Sequence, residues 1–290
     1  MIKVIACDMD GTLLGKDSVF ANETIRAVNR ATDAGIKFII VSGRTKGGVK
    51  PVINSSKIVT DFILCNGAVV LDKEYNYINE YGIDPEKAKD IYRFIKDRVY
   101  AIRLYSRDYD YMIDDGRDMI EVLATQLHIF MPSYSYEDFK KTDYFNERLA
   151  LTKVLPDMSM FDNYKEFPLY KMYAYNPDES EIFKLKQDLK KRYDLSFVSS
   201  FLSNVEVTSK NASKGPVLQE YIESLGYSMR EVAVFGDSEN DASMLKMDFG
   251  MTFAMKNASD DIKKMTKYVT EFSNVENGVA YEIEKIIANN

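Results

Sequence analysis

Apolar and polar positions alternate along the chain in two rhythms. Residues 2–7 form a short apolar run interrupted only by Lys3, the pattern of a strand buried on both faces. Over residues 23–34, Ile25, Val28 and Ala31 fall at helical spacing behind Asn22 as N-cap, and Gly35 stops the helix. Residues 36–41 and 62–65 repeat the buried-strand run, broken by Ser42-Gly43-Arg44 and by Asn66-Gly67. Strand, helix, strand, helix, strand predicts right-handed crossovers and a doubly wound, mainly parallel sheet. The same grammar returns near the C-terminus. It predicts a helix over 214–225 ended by Gly226, a strand over 231–235 running into Gly236-Asp237, and a strand over 249–254. Helices are expected over 241–247 and 278–287.

Between these stretches the texture changes. A helix is expected over 85–99, strands over 101–105, 109–113 and 170–175, a helix over 179–192, and strands over 196–201 and 205–208. Runs without strict alternation indicate an α+β layer. The chain therefore divides into an α/β domain from residues 1–83 and 209–290 and an inserted α+β domain from 84–208, with Gly82 and Asn211 as expected hinges. The insert holds 13 of the 20 tyrosines. Packing and strand propensity explain them; a polar-tipped aromatic surface for a ligand is the other reading.

Composition narrows the chemistry. The 290 residues contain one histidine, His128, and two cysteines, Cys7 and Cys65. A multi-histidine metal centre, a zinc finger and a disulfide framework are excluded. Leu127, Ile129 and Phe130 around His128 predict a satisfied, partly buried ring, and the two cysteines are expected in the core. The net charge of −7 lacks the signature of a nucleic-acid binder. No stretch approaches the ~20 apolar residues of a membrane span, so a cytoplasmic protein without membrane or nucleic-acid partners is expected; the sequence leaves the oligomeric state open.

Ligands of open α/β sheets bind beyond the carboxyl ends of the strands. Those ends carry Asp8-Met9-Asp10-Gly11-Thr12, Ser42-Gly43-Arg44, Asn66-Gly67 and Gly236-Asp237-Ser238-Glu239-Asn240-Asp241. If the first strand continues through Met9, Asp8 and Asp10 point the same way. Asp8, Asp10 and Asp237 then converge, with Asp241 close behind. Two carboxylates at 4 Å repel by ~4 kcal/mol at an effective dielectric of 20, and a hard cation such as Mg²⁺ relieves that cost. A calcium loop is excluded, because Thr12 and Leu13 stand where it needs a ligand and a glycine.

Asp8-Met9-Asp10-Gly11-Thr12 resembles the first motif of the haloacid dehalogenase superfamily of phosphohydrolases. Val41-Ser42-Gly43-Arg44, Ser213-Lys214-Gly215 and the 236–241 segment are similar to its other three motifs, in order. The large insert and Asn66-Gly67-Ala68 make the chain resemble the Cof-type phosphatases, with a Rossmann-like core and an α+β cap that decides the substrate. The resemblance implies hydrolysis of a small phosphorylated metabolite, a sugar phosphate or phosphorylated cofactor. Asp8 would be the nucleophile, forming an aspartyl-phosphate, and Asp10 the general acid and base. Gly11 would permit the tight loop, and Thr12 would orient Asp10 or the phosphate. Mg²⁺ would be held by Asp8, the Asp10 carbonyl, Asp237 and Asp241. Ser42 and Lys214 would bind the phosphoryl oxygens, and Asn240 the phosphate or Asp8. Gly43, Asn66 and Gly67 would line the pocket; Arg44 is either a ligand contact or half of a salt bridge. Arg103, Arg107 and Arg117 are cap residues that either touch substrate or face solvent. A phosphomannomutase-like phosphotransferase and a non-catalytic binding protein on the same fold are the alternatives.

Overall fold

The structure, a computed structural model, describes residues 1–290 with the exception of the Asp17 side chain. The strands, in chain order, are β1 (Val4–Cys7), β2 (Lys37–Val41), β3 (Asp61–Leu64), β4 (Val69–Leu71), β5 (Tyr77–Glu80), β6 (Ala101–Tyr105) and β7 (Asp110–Ile113). They continue with β8 (Thr152–Leu155), β9 (Lys171–Tyr175), β10 (Ser196–Val198), β11 (Asn204–Thr208), β12 (Val232–Gly236), β13 (Met251–Ala254) and β14 (Tyr268–Val269). Two compact units result. One comprises residues 1–44, 49–80 and 211–290; the other comprises 45–48 and 81–210.

The first unit is built on a sheet of order β14-β13-β12-β1-β2-β3-β4-β5. From β14 to β3 every pairing is parallel, and β1 lies between β12 and β2. All four β1 residues are buried, which is why its sequence reads as an unbroken apolar run. Helices Asn22–Asp33 and Gly278–Asn289 pack on each other, while Lys214–Ser224 packs against β3 and the turn after it. The antiparallel β4 and β5 are absent from the sequence reading. Tyr77-Ile78-Asn79-Glu80 alternates between half-buried and exposed positions and contains no apolar run. The hairpin is made by Asp72, whose carboxylate accepts from the Glu74 and Asn76 amides at 2.9 Å. The expected helix over 241–247 is shorter, a single 3₁₀ turn at Glu239–Asp241 followed by Ala242–Leu245.

The second unit has a sheet of order β10-β11-β9-β6-β7-β8, antiparallel except for β7 with β8. Leu104, Met172, Ala174, Val205 and Val207 face one way and form a core with Ile91, Ile182 and Leu185 of helices Pro85–Ile95 and Glu179–Arg192. The opposite face carries a helical segment that periodicity did not reveal, including Met119–Leu127 and Asp143–Leu151. Val122, Leu123, Ala124, Leu127 and Phe145 cluster there with Ala101 and Met112 of the sheet. Met119–Leu127 starts at Asp118, which caps the Ile120 and Glu121 amides. No helix among the described residues is long and apolar enough to cross a membrane.

Candidate active site

β1 stops at Cys7, and the Asp8 amide donates to the Phe235 carbonyl at 3.0 Å, holding Asp8 at the carboxyl edge beside β12. The chain then turns. Leu13 and Leu14 donate back to the carbonyls of Asp8 and Met9, and Gly11 takes φ +79°. A Cβ at Gly11 would lie 2.8 Å from Asp237 Cγ, so both backbone conformation and space demand glycine.

This turn overturns one expectation. The strand does not continue through Met9, so Asp8 and Asp10 diverge. Asp10 accepts from Arg44 Nε at 2.8 Å and Nη2 at 2.5 Å, a bidentate pair. Its side chain is outside the carboxylate cluster, which consists of Asp8, Asp237 and Asp241. In that cluster one oxygen from each residue lies within 4.8 Å of the others. Arg44 is accordingly half of a salt bridge here.

Each member of the cluster is set by its element. Gly236 ends β12, where a Cβ would meet Asp241 Cγ at 2.7 Å, and so lets the 236–241 loop close on itself. Asp241 Oδ2 accepts from the Asp237 and Ser238 amides at 3.0 and 3.1 Å. Lys214, buried at the first position of its helix behind Ser213, donates to Asp8 Oδ1 at 2.7 Å and to Asp241 Oδ1 at 2.6 Å. A lysine is misplaced electrostatically at a helix N-terminus, and these two carboxylates compensate it. Thr12 donates to Asp237 Oδ1 at 3.2 Å rather than to Asp10, the first of its two expected roles.

The electrostatics follow from burial and from unequal charge. Burial, then the Asp241 carboxylate, push Asp8 well above the usual aspartate range, against the pull of Lys214. Asp237 is pushed up to about 8 by the same two causes, despite the Thr12 hydrogen bond. Burial alone would lower Lys214; Asp241 and Asp8 outweigh it and hold the ammonium above its ordinary value. One ammonium therefore faces three carboxyl groups, which when all ionised carry two negative charges more than it compensates. An all-oxygen donor set of that charge and compactness fits a divalent hard cation.

The remaining residues surround this edge. The buried Ser42 hydroxyl accepts from the Arg44 amide at 3.2 Å. Gly43 is half-buried between them. Asn66 is left-handed at φ +60°, and Gly67 at φ +102° lies so close to Ser213 that a Cβ would be 2.8 Å from its backbone nitrogen. The turn after β3 thus seats the start of the Lys214 helix. Asn240 Nδ2 reaches Asn66 Oδ1 at 3.5 Å, and its Oδ1 accepts from Ser238. Cys7 and Cys65 are buried and unbridged. His128 is half-buried, 2.8 Å from the Tyr134 carbonyl.

Two site residues escaped the sequence reading. Asn257 Nδ2 donates to the Gly11 carbonyl at 2.8 Å, and its Oδ1 accepts from the Asn274 amide at 3.1 Å. Asn274 Nδ2 donates to the Leu14 carbonyl at 2.9 Å. This brace holds the loop carrying Asp10 from a segment about 250 residues away. Neither asparagine sits at a strand end rich in acids, so no local signal marks it.

The model of the haloacid dehalogenase-like hydrolases matches residues 5–283. The chain belongs to that family. It is 30% identical over 288 residues to the 5-amino-6-(5-phospho-D-ribitylamino)uracil phosphatase YwtE of Bacillus subtilis, covering 99% of each chain. It is 27% identical to the pyridoxal phosphate phosphatase YbhA of Escherichia coli, over 92% of each. A solved haloacid dehalogenase-like hydrolase from B. subtilis superposes with TM-score 0.86 at 28% identity, over 98% of this chain and 99% of that one. As a Cof-type member of the haloacid dehalogenase-like hydrolases, the protein is a phosphatase, a hydrolase of phosphoric monoesters.

Proposed function

We propose that this phosphatase hydrolyses a small phosphorylated metabolite, of the sugar-phosphate or phosphorylated-cofactor class, through an aspartyl-phosphate on Asp8. The observation that carries the reading is the buried Asp8 carboxylate, joined to Lys214 and facing Asp237 and Asp241 at one sheet edge. Relatives named for a phosphoribitylamino-uracil and for pyridoxal phosphate support the cofactor class.

An Asp8 carboxylate oxygen attacks phosphorus as the ester P–O bond breaks. Lys214 orients that carboxylate through its other oxygen and places a positive charge beside the transferring group. Asp10 leaves Arg44, carries a proton to the departing oxygen, and afterwards takes one from the water that attacks the phosphoryl-aspartate. Phosphate leaves and Asp8 returns to carboxylate. Ser42 and Asn240 supply hydrogen bonds to phosphoryl oxygens. Gly43, Asn66 and Gly67 shape the turns around them. Asp8, Asp237, Asp241 and the Asp10 carbonyl would hold Mg²⁺, whose charge lets an anionic nucleophile approach an anionic phosphate. Residues 84–208 form the cap that selects the leaving group, hinged near Gly82 and Asn211. The two unbridged cysteines support a reducing, cytoplasmic setting.

The test is phosphate release from a panel of sugar and cofactor monophosphates with Mg²⁺, for the wild type, Asp8→Asn and Asp10→Asn. Asp8→Asn should fold and abolish turnover, and Asp10→Asn should cost roughly two to four orders of magnitude. Near wild-type turnover by Asp8→Asn sinks the mechanism.

A further inference from the structure

Beside the Ala101 and Met112 cluster, one face of the six-stranded sheet in the second unit holds a patch of buried polar side chains. Arg103 pairs across strands with Tyr173, and Tyr173 with Glu206; Tyr105 pairs with Lys171 and with Asp110. These six side chains therefore share a face, the one opposite the Leu104 and Met172 core. The buried charged residues on this side of the sheet, among those described, are three cations (Arg103, Arg148 and Lys171) against two carboxylates (Asp110 and Glu206). Asp110 Oδ2 accepts from both Arg103 Nη1 at 3.1 Å and Arg148 Nη2 at 3.0 Å, and Lys171 donates to Glu206 at 2.9 Å. The Arg103 guanidinium lies 5.2 Å from the ring centroids of both Tyr105 and Tyr173.

Three atoms on the strands of this layer have no hydrogen-bond partner although they are shielded from solvent. They are the donors Arg103 Nε and Tyr173 Oη and the acceptor Asp110 Oδ1. Arg103 is 1% exposed, Tyr173 2% and Asp110 0%. An orphaned buried polar atom costs about 1–3 kcal/mol, more when charged, so three in one layer call for a partner. Two donors, an adjacent acceptor and an excess of positive charge specify its chemistry. We infer that this layer binds a hydroxylated anion. The anionic group accepts from Arg103 Nε and Tyr173 Oη, and a hydroxyl donates to Asp110 Oδ1. The site stands on these atoms alone; its use in choosing a substrate rests additionally on the phosphatase reading. The ligand is either the far end of the phosphorylated substrate or a separate small hydroxy acid.

Calorimetric titration of the full chain with glycerate tests the site, using the wild type, Tyr173→Phe and Arg103→Lys, with melting temperature as the control for folding. The wild type should bind glycerate, and each variant should weaken binding at least about tenfold, the worth of one charge-assisted hydrogen bond. Tyr173→Phe removes only an unpartnered hydroxyl and should melt no lower than the wild type. A second arm compares kcat/KM for 3-phosphoglycerate and glycerol 3-phosphate. A preference for the carboxylate that Tyr173→Phe abolishes identifies the substrate's far end as the ligand. Glycerate binding without such a preference identifies a separate ligand. Absence of glycerate binding, or equal binding by all three proteins, overturns the site and leaves water as the partner of the orphaned atoms. If neither ester releases phosphate, the phosphatase reading loses support while the titration still decides the site.

Discussion

In metal-free protein, the carboxylate cluster predicts stability that falls as pH rises. Asp237 titrates near 8 in the folded chain and near 3.8 when unfolded. Between those values the folded state holds a proton that the unfolded state has lost. The contribution is therefore fully present below about 4 and disappears as pH climbs through about 8. At 1.36 kcal/mol per pH unit the interval has a ceiling of about 6 kcal/mol. Asp237 keeps some solvent access, and screening reduces this to about 2–3 kcal/mol. Asp8, also pushed upward, adds a contribution of the same sign. The perturbation is Asp237→Asn, which can keep the Thr12 hydrogen bond through its amide oxygen. The assay is thermal melting in EDTA from pH 5 to 9, repeated with Mg²⁺. Wild-type Tm should fall by about 5–10 °C across that range, at about 2–4 °C per kcal/mol. Asp237→Asn should fall markedly less and melt higher than wild type at pH 9. Mg²⁺ should raise wild-type Tm more at pH 8.5 than at pH 5.5, and should leave Asp237→Asn almost unmoved. A flat wild-type profile in EDTA, or an identical slope in Asp237→Asn, would refute the account of this cluster.

Three further outcomes follow from named contacts. Lys214→Met leaves Asp8 and Asp241 without their shared ammonium and should destabilise the metal-free protein by about 3–5 kcal/mol in urea melts, with kcat falling at least a hundredfold. Gly11→Ala forces a left-handed alanine against Asp237; a loss of at least about 2 kcal/mol by thermal melting is expected, together with weaker Mg²⁺ response. Asn257→Ala removes the bond to the Gly11 carbonyl and should cost about 1 kcal/mol by the same measurement. Since the brace positions the Asp10 loop, its kcat should fall about tenfold with KM little changed, and an unchanged kcat would show the brace to be structural alone.

The parallel half of the first sheet was legible because β1, β2, β3 and β12 are buried on both faces and so appear as apolar runs. Their polar ends give Asp8, Ser42, Asn66 and Asp237 a common edge from the sequence pattern alone. Illegible were the elements whose stability comes from contacts rather than pattern. The β4–β5 hairpin depends on Asp72 binding nearby amides, and Met119–Leu127 is apolar on most of its surface, so it shows no stripe.

Residue identity along the chain determined which carboxylates arrive at the sheet edge, because strand ends are set by local apolar runs. Tertiary structure alone decided how they divide. The wide turn after Asp8 sends Asp10 to Arg44 and leaves Asp237 and Asp241 to share Lys214 with Asp8. It also decided that Asn257 braces Gly11 and that Arg103, Tyr173 and Asp110 enclose unpaired atoms. The physical reason is range. Burial period and turn chemistry act over a few residues and are written in them. Charge compensation and hydrogen-bond satisfaction depend on which distant side chains the fold brings within about 3 Å.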